Sequence, residues 1–84
     1  MNTALQAQGA LGQQRILVVD ADADSRAKTC RLIAGTRRLI ADCTTSKEAI
    51  QRLAAHNVDL LVIEPCLPNI NGIEILNWLS RNLV

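Results

Sequence analysis

The sequence predicts an α/β domain with a parallel sheet laid down in β-α-β-α-β-α order. Two stretches, Ile16-Leu-Val-Val19 and Leu60-Leu-Val-Ile63, are continuously apolar and rich in branched residues. Strands covered on both faces read this way, whereas a sheet wetted on one face alternates. Segments of helical periodicity separate and follow these runs, and strands alternating with helices imply a parallel sheet joined by crossovers. Each run stops on a carboxylate, Asp20 and Glu64. Both acids would then stand at the carboxyl ends of their strands, where open α/β sheets hold their ligands.

Residues 1–14 are rich in Gln, Ala and Gly and carry no charged side chain; they read as a disordered leader to a domain over 15–84. Strand 1 is expected over Arg15–Val19. Asp22 suits a helix N-cap and Asp24 its first turn, where negative charge complements the helix dipole. Ala23, Ala27, Cys30, Ile33 and Ala34 then share one face, and Gly35 stops the helix. Leu39–Cys43 alternates weakly and suits an edge strand. Thr45-Ser-Lys-Glu48 is a capping box, opening a second helix with Ala49, Ile50, Leu53, Ala54 and His56 inward. Strand 3 spans Leu60–Glu64. Pro65, Pro68 and Asn71-Gly72 make a turn, and a third helix over Ile73–Asn82 presents Ile75, Leu76, Leu79 and Leu83 to the core. Trp78 falls off that stripe.

Composition narrows the function. The 84 residues fit one small domain. Trp78 is the sole aromatic and the net charge is +1, with no basic block. Nucleic acid and anionic membrane surfaces, which need clustered Lys and Arg, are poor partners for such a chain. No apolar run approaches the ~20 residues of a membrane span, and the N-terminus lacks the pattern of a secretory signal. Cys30, Cys43 and Cys66 are an odd, widely spaced set. They argue against a zinc site or disulfide framework and fit a reducing cytoplasm.

Four pieces in order, Ile16-Leu-Val-Val-Asp20 with acids just after it, Glu48-Ala-Ile-Gln-Arg-Leu53, Asp59-Leu-Leu-Val-Ile-Glu64 and Leu67-Pro-Asn-Ile-Asn-Gly-Ile-Glu74, resemble the receiver domain of bacterial two-component response regulators. The resemblance covers about residues 15–83 and implies the first half of a flavodoxin-like (CheY-like) receiver. In that family an Asp ending strand 3 accepts a phosphoryl group from a histidine kinase. Acids after strand 1 and a backbone carbonyl two residues past the acceptor help it hold Mg²⁺. Carried over, the acceptor position is Glu64, the acid pair is Asp20 and Ala21, and the carbonyl is that of Cys66. Pro68 and Gly72 match the family's loop.

Three departures from the pattern bear on function. Glu64 replaces the Asp, moving the carboxylate by ~1.5 Å; displacements near ~1 Å can cost about 10²-fold in an in-line transfer. Ala21 removes one acid of the pair, and Asp22 replaces it only if it does not cap the helix. The family's fourth and fifth strands, with their hydroxyl and lysine switch residues, do not follow. A calcium loop over Asp20, Asp22 and Asp24 fails, because its glycine and closing acid positions hold Ser25 and Arg31. Asn69 and Asn71 suit a turn and a helix start.

These residues imply an atypical receiver that acts by protein–protein contact, with no catalytic residue of its own and Mg²⁺ at most a weak ligand on Asp20, Glu64 and the Cys66 carbonyl. A receiver phosphorylated on Glu64 with Mg²⁺ and a purely structural α/β adaptor are the alternatives. The expected partners are a second copy, a histidine kinase or an output domain, with Trp78 as a contact anchor or a packing residue. Strand 3, apolar throughout yet at a sheet edge, favours pairing with another chain, and the sheet face beside strand 1 is expected to be bare.

Overall fold

The computed structural model describes residues 13–55, 58–64 and 71–82. Six elements follow in order: β1 (Gln14–Val19), α1 (Ala23–Ile33), β2 (Arg38–Cys43), α2 (Ser46–Ala54), β3 (Leu60–Ile63) and α3 (Gly72–Asn82). The strands form one parallel sheet in the order β2-β1-β3. This is the α/β order expected. β1 opens at Gln14, one residue before the expected start, because the Gln14 N–H donates to the Arg37 carbonyl at 2.7 Å. β2 likewise opens at Arg38 rather than Leu39. Residues 1–12 of the leader, His56, Asn57, Pro65, Cys66, Pro68, Asn69 and Leu83 lie outside the described residues.

β1 is the central strand. Its register sets Ile16 against Ile40 and Leu60, and Val19 against Cys43 and Ile63. With neighbours on both sides and helices above and below, Ile16 to Val19 are all buried, which is why this run carries no polar alternation. Strand alternation sends Leu17 and Val19 to one face and Ile16 and Val18 to the other.

The first face makes the core. Leu17, Val19 and Cys43 pack with Ala49 and Leu53 of α2 and Ile75 of α3. The capping box closes α2 as expected: the Thr45 hydroxyl accepts from the Glu48 N–H at 3.2 Å. Glu48 reaches back one residue further than the usual pattern, to the Thr44 N–H at 3.3 Å. Such a cap contributes about 1 kcal/mol. Ala54 is exposed, and the inward set of α2 is Ser46, Ala49, Ile50 and Leu53.

Two helix faces differ from expectation. In α3, Leu76 is 59% exposed, while Trp78 is half-buried and packs with Leu79 against the core. The stripe is therefore Ile75–Trp78–Leu79. Residues spaced three and four apart share a face, and Ile75 at 0% exposure fixes which face that is. In α1 Ala23 and Ala27 are exposed, as is Ala34, which caps its end. The half-buried residues are Ser25, Arg26, Thr29, Cys30 and Ile33, and none is fully buried. α1 thus meets the second sheet face through a mixed set, with Cys30 and Ile33 on the expected face and Ser25, Arg26 and Thr29 added to it.

The bare sheet face is narrower than expected. α1 covers Ile16 and Val18, so β1 is sealed on this side too. Exposed apolar surface remains at Leu60 (48%) on β3 and Leu32 (79%) on α1.

Candidate acidic site at the carboxyl edge of the sheet

Each acid is fixed by one further ladder bond beyond its strand. The Asp20 N–H donates to the Cys43 carbonyl at 3.1 Å, and the Glu64 N–H donates to the Val19 carbonyl at 3.0 Å. The sheet therefore sets both at its carboxyl edge. They line one cleft of about 100 Å³, together with Val62 from β3 and Ser25 and Thr29 from α1. The sequence expectation that Asp20 and Glu64 meet is met by the backbone itself.

Asp20 is 3% exposed. Burying a carboxylate is costly unless hydrogen bonds replace its water, and here they do. Oδ1 accepts from the Asp22 N–H at 2.9 Å, and Oδ2 accepts from the Ser25 hydroxyl at 2.6 Å. Asp22 caps α1 by accepting from the Asp24 N–H at 3.2 Å. Its side chain is therefore directed at the helix and does not replace the acid missing at Ala21. Asp24 is a first-turn acid, as expected.

Arg26 links this corner to the edge strand. Its Nη1 donates to the Asp20 carbonyl at 2.9 Å and its Nε to Asp42 at 3.1 Å. On the far side, the Asn71 side chain accepts from the Glu74 N–H at 3.0 Å and caps α3. The Asn71 N–H donates to the Ser46 hydroxyl at 2.7 Å. Ser46 is buried and ties the start of α3 to the start of α2. Gly72, matched to the family's loop, is the buried first residue of α3.

Ser25, Thr29, Arg26 and Ser46 were not singled out by the sequence. A hydroxyl five residues after a strand-end acid, in the first turn of the helix that follows, is the pattern that could have marked Ser25.

For Mg²⁺ the described side chains bring two carboxylates to the cleft, Asp20 and Glu64. That ion requires near-octahedral oxygen coordination. Ala21 supplies no oxygen from its side chain, and each Asp20 oxygen already accepts one bond from within the chain, which leaves it fewer lone pairs for a cation. Among the described residues no three His, Cys, Asp or Glu side chains gather. The Cys66 carbonyl lies outside them.

Two thiols sit near this edge. Burial, then the Glu48 charge, pushes the Cys43 thiol up; burial, then Asp42, does the same for Cys30. Both therefore stay as thiols at neutral pH and are poor nucleophiles. No helix among the described residues is long and apolar enough to cross a membrane.

Comparison with curated proteins and with solved structures returned no significant match. The family model described as the response regulator receiver domain matches residues 16–83. That span takes in all three strands and all three helices except Gln14 and Arg15. With the β-α order, the strand order and the two strand-end acids at one cleft, the chain belongs to the response regulator receiver domain family.

Proposed function

We propose that this chain is an atypical receiver module that works by protein–protein contact and transfers little or no phosphoryl group. Family membership implies signal transduction in two-component systems. The observation that carries the finer reading is the pairing of Glu64 with Ala21 at the carboxyl edge. The acceptor position bears a longer acid, and the acid beside Asp20 is missing. Phosphoryl transfer relies on positioning and on charge neutralisation by metal, and both are weakened here.

Contact with another chain is supported by surface that a receiver's sheet would otherwise cover. β3 is an edge of the described sheet, its Leu60 is exposed, and so is Leu32 on α1. A homodimer, or docking on a kinase or output domain, buries that surface. A cytoplasmic location goes with this role and with the unpaired thiols. A structural adaptor would share the fold without needing the acids.

Incubation with acetyl phosphate and Mg²⁺, followed by intact mass, tests the reading. An unchanged mass is expected; a phosphoryl group mapped to Glu64 overturns it. Size exclusion with light scattering at low micromolar protein tests the contact. A dimer mass is expected, and a compact monomer that also ignores kinase and output domains contradicts it.

A further inference from the structure

We propose that Ser25 does in this chain what a bound cation would otherwise do: with the Asp22 main-chain N–H, its hydroxyl satisfies the buried Asp20 carboxylate and fastens the turn after β1 to α1. The inference deepens the reading of this edge as one without phosphotransfer and rests on it.

Three observations converge. First, the carboxylate is almost wholly buried, yet each oxygen has a donor from its own chain. The 2.6 Å contact from Ser25 is in the short range of a hydroxyl donating to an ionised acceptor. Second, the Ser25 hydroxyl is not consumed by capping. Asp22 caps α1, so Ser25 is free to reach five residues back, out of the helix. Third, the corner is also held from outside. Arg26 joins the Asp20 carbonyl to Asp42 of β2, so β1, α1 and β2 all grip the same turn.

Oδ2 keeps a lone pair beside the Ser25 bond, but a cation there competes with that hydroxyl for the carboxylate's charge, and Ala21 brings no second carboxylate to hold it. The edge is then a closed latch. It holds the receiver's acid in place as structure, and its stability owes nothing to Mg²⁺.

Thermal unfolding of the full chain, in EDTA and in millimolar MgCl₂, tests this on the parent, Ser25→Ala and Ser25→Thr. A buried acceptor left without its donor costs about 1–3 kcal/mol. In a domain of this size that lowers Tm by roughly 4–24 °C. Ser25→Ala should show that drop, Ser25→Thr, which keeps the hydroxyl, should stay close to the parent, and the parent's Tm should be the same with and without Mg²⁺. A parent stabilised by Mg²⁺, or a Ser25→Ala chain as stable as the parent, overturns the latch. Should Ser25→Ala not fold at all, a folded Ser25→Thr with a Mg²⁺-insensitive parent supports it, and a Mg²⁺-stabilised parent overturns it. The acetyl phosphate test is separate: a phosphorylated parent that Mg²⁺ does not stabilise ends the wider reading and leaves the latch standing.

Discussion

The two faces of the sheet carry the same kind of strand residue and are covered in opposite ways. On one, Ala49, Leu53 and Ile75 close an apolar core over Leu17 and Val19. On the other, α1 has no fully buried residue and is held by Ser25 and Arg26 bonding to Asp20 and Asp42. Burial is non-directional and tolerates many side chains, whereas a hydrogen-bonded corner fixes one geometry. The first face holds the apolar core; the second fixes the carboxylate of Asp20 at the edge.

That contrast can be broken by substitution. Ile75→Ala, at the middle of the core face, should cost about 2–5 kcal/mol, read from urea unfolding. For a small domain this is a large part of the total. Asp20→Ala attacks the polar face instead, stripping the acceptor from Ser25 and from the Asp22 N–H. About 1–3 kcal/mol is expected; no loss would mean the polar corner is ornamental. Thr45→Ala removes the α2 cap and should cost about 1 kcal/mol. Leu32→Ala, on the outer part of α1, should change stability by no more than about 0.5 kcal/mol. A loss as large as that of Ile75→Ala would make the two faces alike.

A last, pH-dependent effect lies at the opposite edge. Asp59 accepts from the Arg15 main-chain N–H at 2.8 Å and from its guanidinium at 3.3 Å. The main-chain bond first, and the guanidinium second, hold its carboxyl below the usual range. Because the folded value is depressed, the stability it adds is present above the unfolded value of about 3.9 and is lost as pH falls through the lower folded value. Asp59→Asn should therefore be less stable than the parent at neutral pH, and the gap in urea midpoint should close in acid. A gap that widens in acid would contradict the assignment.

How much of this could be read beforehand follows from how local each signal is. The strands Leu60–Ile63 and Ile16–Val19 announced themselves by unbroken apolar runs, and the caps at Asp22 and Thr45 by residue type and spacing. The meeting of Asp20 and Glu64 followed from strand order alone. What periodicity alone did not settle was which side of a helix faces in. Ile75, Leu76 and Trp78 offer two overlapping stripes, and only the packing of α3 against α2 and the sheet selects Trp78 over Leu76. In α1 the alanines suggested an apolar face, yet the helix turns Ser25 inward, where its hydroxyl donates to Asp20. A donor is needed there only once Asp20 is buried, and burial depends on the whole fold.

The most direct test of the central claim is a Mg²⁺ titration of the full chain, followed by the amide resonances of Asp20 and Glu64 and by Trp78 fluorescence. The account predicts no saturable change at either acid up to millimolar Mg²⁺, and a Trp78 signal that stays flat. Saturable shifts centred on Asp20 and Glu64 would mean that the edge still binds a cation, and would contradict it.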